Sequence, residues 1–431
     1  MNSLPQLKRI IEVEDRRSMI IISFISVSNI IFTYLRITAV AQMLTLLFVL
    51  YATYRKKENL LPIIVFSISN SGSLSIFTVS ASICICTVYV IKNIINGVSV
   101  CVNTFFIMLF FMIYSFQYYI RYEDIQSAFV FPFKIVIVVL FFLLYTSDMS
   151  VDKNNGIFLY KTIVYGIVGI LVNVFASMAL LGENRFRVVN NDSNILAVMA
   201  AAFLAMACVL FLRHNIGGVG YFAFIVVSSF AIILLAGSRN GLLLLAIIFL
   251  LTILFNFTEV SKMTFLIFVL MIAGVLVLSS SAGRAAIDTY LFRTQVLEAN
   301  GDISNGRYEI WEEYFNAFNS SPENWWLGFG AYKNAGITEM AHNGIIEDIC
   351  SNGLIGYFMI LLSYGTIVKQ HRRIHQTTKG KFYHLLPIIV LFVSSLTLRG
   401  FTNIVMLIPL YLGMILYYLP QTSTEAKGRI I

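Results

Sequence analysis

Long apolar runs separated by short polar breaks fill the chain almost from end to end. The runs at 18–35, 37–54, 99–120, 156–181, 195–212, 219–236, 242–255, 262–279, 345–368, 385–398 and 403–419 are continuous rather than alternating. Continuity of that length predicts membrane-crossing helices and excludes barrel strands. A shorter run at 131–146 follows a polar connector at 121–126. The region 60–92 reads either as two short spans or as one broken span, because its centre at 67–75 is rich in Ser, Asn and Gly. The expected fold is an all-α polytopic membrane protein of about twelve spans.

One stretch departs from the rhythm. The interval 280–343 carries Arg284, Arg293, Arg307, eight carboxylates, all three tryptophans and the tripeptide Ala341-His342-Asn343. A loop of that length is expected to fold and to carry function. The predicted organisation is a cytoplasmic tail at 1–17, helices over 18–279, a large extracytoplasmic loop at 280–343, and helices over 344–419. The last group includes a basic cytoplasmic loop at 369–381, and a cytoplasmic tail follows at 420–431.

Composition agrees with that reading. The chain is 58% hydrophobic and 12% charged, against about 25% charged in a soluble domain. The net charge of +8 gathers at Lys8, Arg9, Arg16 and Arg17, at Arg55-Lys56-Lys57, and at 369–381, where five basic residues stand with no acid. Basic residues so placed mark cytoplasmic loops and meet membrane lipids, so nucleic acid is not an expected partner. The five cysteines lack zinc spacing and mostly lie in apolar runs, which predicts inert thiols. No cleavable signal is expected, since the first apolar run reads as a retained span.

Counting back from 369–381 places 280–343 on the extracytoplasmic side, together with Ser238-Arg239 and a polar loop holding Arg185 and Arg187. Three arginine groups thus face the side that the charge rule leaves poor in cations. Arg239 sits between apolar runs, where a guanidinium is expensive; it either snorkels to the interface or faces an anionic substrate group. Gly237 and Gly241 flank it and permit close approach. Arg307 opens an expected helix, capped by Ser304 or Asn305, that places Arg307, Trp311, Tyr314, Phe315 and Phe318 on one face over the membrane surface. His342 stands at the start of the following span, near the positive end of its dipole, with Asn343 and Glu347 sharing a face behind it. No metal-ligating motif, DxD pair, P-loop or Rossmann fingerprint is present.

The order Gly237-Ser238-Arg239, Arg307-Tyr308-Glu309-Ile310-Trp311, Trp326-Leu327-Gly328-Phe329-Gly330, His342-Asn343 and Asn352-Gly353-Leu354-Ile355-Gly356 resembles the O-antigen ligase and Wzy-type polysaccharide polymerase family. The loop from Arg185 to Asn194 resembles a further element of it. The resemblance implies a fold like the class C membrane glycosyltransferases, and glycosyl transfer at the outer face of the bacterial inner (cytoplasmic) membrane. It implies a donor glycan on undecaprenyl diphosphate and no cofactor. Carried over by position, Arg239 and Arg307 would clamp the diphosphate in place of a metal, with Arg284 or Arg293 as alternative second clamps. His342 would act as base or orient the acceptor hydroxyl. Ser238, Arg187, Arg284, Trp311, Asn343 and Glu347 are the expected substrate-binding residues.

Polymerase and ligase remain the two readings within the family. The acceptor is a second lipid-linked glycan in the first, and lipid A–core or protein in the second. A small, aromatic-rich chain without an acceptor module favours polymerase. A flippase and a chain-length regulator are the implied partner proteins. The rival from another class is a transporter or flippase for lipid-linked sugars. It would not need a large outer loop ending in His-Asn, and the chain carries no internal repeat of the kind transporters use.

Overall fold

The computed structural model describes residues 13–77, 79–98, 102–148, 155–181, 192–256, 260–299, 306–375, 382–398 and 403–417. The Arg185/Arg187 loop, residues 1–12 of the N-terminal tail and the C-terminal tail at 420–431 lie outside them, whereas 13–17, expected in the tail, form the start of the first helix. Among the described residues, six helices are long and apolar enough to cross a membrane, and seven shorter apolar helices of 10–17 residues accompany them. The protein is an all-α polytopic membrane protein.

The first hairpin joins α1 (Val13–Tyr34) to α2 (Thr38–Tyr54), turning on Arg36 in a left-handed conformation with φ 59°. The ambiguous region then resolves into two helices: α3 (Leu60–Ile68) and α4 (Ala81–Ile95). Between them lies a two-stranded antiparallel hairpin, β1 (Ser75–Ile76) paired with β2 (Val79–Ser80). Helix α3 ends after nine residues at the Ser/Asn-rich centre. Side chains meet the exposed backbone there: Asn70 donates to the Phe66 and Gly169 carbonyls at 3.2 and 3.1 Å, and Asn173 donates to Ser69 at 2.7 Å. Irregular backbone at membrane depth is tolerated only when it is satisfied inside protein in this way.

Helices α5 (Val102–Ser115) and α6 (Gln117–Tyr122) form one span, and α7 (Phe131–Asp148) and α8 (Asn155–Leu181) follow. Helix α9 (Ser193–His214) is the axis of the bundle, and every residue of its apolar window is buried. Its alanines Ala197, Ala200, Ala201 and Ala202 let neighbouring helices approach closely. Asp192 caps it by accepting from the Asn194 N–H at 2.9 Å.

Helices α10 (Val219–Leu235), α11 (Arg239–Phe255) and α12 (Val260–Ser279) pack beside α9 and carry the chain to the polar interval. The interval is itself largely helical: α13 (Ser281–Ala299), α14 (Arg307–Asn319) and α15 (Pro322–Leu327). Helix α16 (Gly344–His375), α17 (Leu386–Ser395) and α18 (Ile404–Tyr417) complete the fold. At one end of the bundle His214 and His384 face each other, Nε2 to Nε2 at 3.1 Å, and Lys262 donates to the Asn215 side chain at 2.6 Å. Arg239 opens α11 at the opposite end, about 25 Å away by the rise of a 17-residue helix.

Candidate active site

Arg239 and Arg307 are each the first residue of a helix. Ser238 caps α11, its Oγ accepting from the Gly241 N–H at 3.2 Å. Gly237 supplies the turn with φ 58°, and a Cβ there would meet nothing within 4 Å. Gly241 answers a different need from the one its place beside Arg239 suggests. A Cβ on it would lie 2.9 Å from Ile233 and 3.2 Å from Ala197, so it permits close helix packing rather than ligand approach. Arg239 is left exposed on this rigid corner.

Helix α14 begins at Gly306, with φ 75° and no side-chain cap; Ser304 and Asn305 lie outside the described residues. The packed face is Arg307, Ile310, Trp311, Tyr314, Ala317 and Phe318, at the spacing of an amphipathic helix. Phe315, expected on that face, is exposed, because i+8 from Arg307 falls at the edge of the stripe. Tyr314 is fully buried and forms a small core with Phe329, Ile337, Ala341 and Cys350. The interval therefore has its own hydrophobic centre, distinct from that of the membrane bundle.

That core holds the helix that Arg307 opens. Burial lowers the Arg307 pKa, and the charge of Arg239 is the second cause. Two cations in electrostatic contact, both at helix N-termini, are the reverse of the favourable arrangement, in which anions sit at the N-terminal pole. A multivalent anion would relieve both conflicts. Arg284 lies exposed on the first turn of α13. Among the described side chains, Arg307 is the guanidinium on which the charge of Arg239 acts. The side chain of Arg293, like Arg187, lies outside the described residues.

The same lid reaches His342. The Trp311 indole N–H donates to the Ala341 carbonyl at 2.7 Å, immediately before the histidine. His342 is exposed and left-handed, with φ 48°. Non-glycine residues seldom adopt this conformation, and such strain gathers at functional sites. Asn343 is buried and caps α16, its Oδ1 accepting from the N–H groups of Ile345 and Ile346 at 3.1 and 3.3 Å. Glu347 lies beside the buried Tyr314, whose pKa is raised by burial first and by the Glu347 charge second.

Helix α16 is interrupted at Gly353, where φ is 63° and ψ 174°. The loop after α15 fills the gap. Phe329 N–H donates to the Cys350 carbonyl at 3.2 Å, and Gly330 N–H to the Ser351 carbonyl at 2.9 Å. Gly328 and Gly353 meet backbone to backbone: a Cβ on either would lie within 2.5 Å of the other's nitrogen. Side chains from the α5–α6 span close this knot, although the sequence marks them only as part of a span and a polar connector. Tyr114, Gln117, Tyr118 and Arg121 recur at i, i+3, i+4 and i+7, a polar stripe at the end of an apolar run. That stripe was the available signal.

Residues 224–361 match the sequence family described as O-antigen ligase, Wzy_C. The matched stretch holds Arg239, Arg307, His342 and both halves of the backbone knot. No curated protein and no solved structure matches the chain.

Proposed function

We propose that this chain, whose residues 224–361 match the O-antigen ligase family, polymerises glycan repeat units carried on undecaprenyl diphosphate. What supports this reading is that the charge of Arg239 acts on Arg307, while the helix that Arg307 opens is hydrogen-bonded through Trp311 to the residue before His342. In this reading the two guanidiniums grip the diphosphate by charge-assisted, forked hydrogen bonds. The acceptor hydroxyl oxygen attacks the anomeric carbon and the bond from that carbon to the diphosphate oxygen breaks. The electron pair leaves with undecaprenyl diphosphate, and His342 takes the hydroxyl proton. Charge developing on the leaving group is met by preorganised cations, so neither a strong acid nor a metal is required. The chemistry belongs at the extracytoplasmic face of the inner membrane, where lipid-linked repeat units and the growing chain meet.

The ligase reading stands beside it, favoured by the description of the matched family. The experiment that separates them is reconstitution of the whole chain in vesicles with undecaprenyl diphosphate-linked repeat units and no divalent metal. Longer lipid-linked glycans are the expected product. Transfer only after lipid A–core is supplied would replace polymerase by ligase. Flipping of the donor without any new glycosidic bond would refute glycosyl transfer.

A further inference from the structure

We infer that Tyr114 and Tyr118, about a hundred residues before the family-matched segment, are positioning residues for His342; this rests on the glycosyl-transfer reading above. The helix end at Leu327 and the break at Gly353 each release backbone carbonyls in the protein interior. Each tyrosine hydroxyl bridges the two segments, its single proton shared among carbonyls that both segments bring within hydrogen-bond distance. Tyr118 Oη lies 2.8 Å from Leu327 O and 2.9 Å from Ser351 O. Tyr114 Oη lies 2.7 Å from Asn352 O, 3.0 Å from Leu327 O and 3.1 Å from Trp326 O. Gln117 Nε2 adds a donor to Leu327 O at 2.7 Å. Arg121 donates to Gly328 O and Asn324 Oδ1 at 2.8 and 2.9 Å, and pairs with Glu323 at 3.2 Å.

The consequence is geometric. The chain from Arg307 to Gly353 leaves the membrane bundle and returns, with both catalytic candidates of the lid inside that excursion. One helix face of the N-terminal half holds its middle, at 326–327, and its end, at 351–352, and His342 lies between those two points. The first half of α16, which begins one residue after Asn343, cannot tilt about Gly353 without breaking the tyrosine bridges. Tyr114 and Tyr118 therefore fix where His342 stands relative to Arg239, while touching neither substrate nor the histidine itself.

The test uses the full chain in nanodiscs with Tyr114→Phe, Tyr118→Phe and the double variant. Tyr160→Phe is the control, since that buried hydroxyl has no hydrogen-bond partner among the described residues. Measured are kcat and KM for the lipid-linked donor, melting temperature, and hydrogen exchange over 326–330 and 341–353. A displaced catalytic group is worth about a hundredfold in rate. The expected result is a tenfold or greater fall in kcat for the double variant, donor KM within about twofold, and faster exchange over 341–353. Wild-type kcat and exchange would overturn the inference, as would a parallel loss of kcat, KM and melting temperature. If the unmodified chain transfers no glycan, the proposed function fails. The exchange measurement still decides the tether, and unchanged protection over 341–353 in the double variant would overturn it.

Discussion

Replacing Gly353 by alanine is the sharpest probe of the knot beneath the site. Its conformation, φ 63° and ψ 174°, is open almost only to glycine, and forcing another residue into it costs about 1–3 kcal/mol. The new Cβ would also stand 2.4 Å from Trp326 O, 2.5 Å from Gly328 N and 2.6 Å from Leu327 C. All three are backbone atoms and none can rotate away. Relief requires the two segments to part, losing the bonds from Phe329 N–H to Cys350 and from Gly330 N–H to Ser351, each worth about 0.5–1.5 kcal/mol. The sum is about 2–6 kcal/mol, and at 1.4 kcal/mol per decade its middle raises the open population about a thousandfold. Gly365→Ala on the same helix is the control, because a Cβ there meets nothing within 4 Å. Hydrogen exchange over 326–330 and thermal unfolding in nanodiscs read both variants. Protection and melting temperature at wild-type values for Gly353→Ala, or equal damage from Gly365→Ala, would refute the reasoning.

Three further outcomes are expected. Arg307→Met should raise the melting temperature of the empty protein, by removing one of two mutually repelling cations, while lowering kcat/KM for the lipid-linked donor about 10²–10³-fold; a fall in both would show that the pair is structural. Trp311→Phe keeps the aromatic packing but leaves the Ala341 carbonyl without its donor. About 1 kcal/mol of lid stability should go with it, seen as faster exchange over 337–343. Asp124 contributes in an acid-sensitive way. Burial pushes its pKa up, but hydrogen bonds from Ser127 and Asn334 outweigh that and hold it below the ordinary value. Its stabilisation of the 330–336 turn is therefore complete above the unfolded carboxylate pKa and lost as pH falls through the lowered folded one. Protection of that turn, taken relative to the intrinsic exchange rate at each pH, should fall with acid in the wild type and stay flat in Asp124→Asn.

The membrane helices were legible because apolar runs longer than about 18 residues have few alternatives. The polar interval was legible as a folded unit because Trp311 and Tyr314 recur at helical spacing from Arg307. What the chain did not disclose is pairing between distant segments. Nothing local in Trp326–Gly330 says that its backbone lies against Gly353, since such contact depends on the absence of side chains. The same holds for Ser238 and Asn343, expected at substrate: their oxygens cap α11 and α16. Polar residues before an apolar run serve both purposes equally well in a sequence. Phe315 shows the limit of a face count, because a residue at the stripe's edge turns to solvent on a difference of a few tens of degrees.

The left-handed backbone of His342 bears on how its chemistry is to be isolated. Alanine at that position would remove the imidazole and also resist the φ of 48°, so lost turnover would mix two causes. Asparagine accepts that conformation several-fold more readily than most side chains, and cannot take up a proton near neutral pH. His342→Asn therefore holds the entry into α16 while deleting the base. If it unfolds no more easily than the wild type and yet forms no glycosidic bond, the proton transfer and the shape of the turn will have been separated at a single residue.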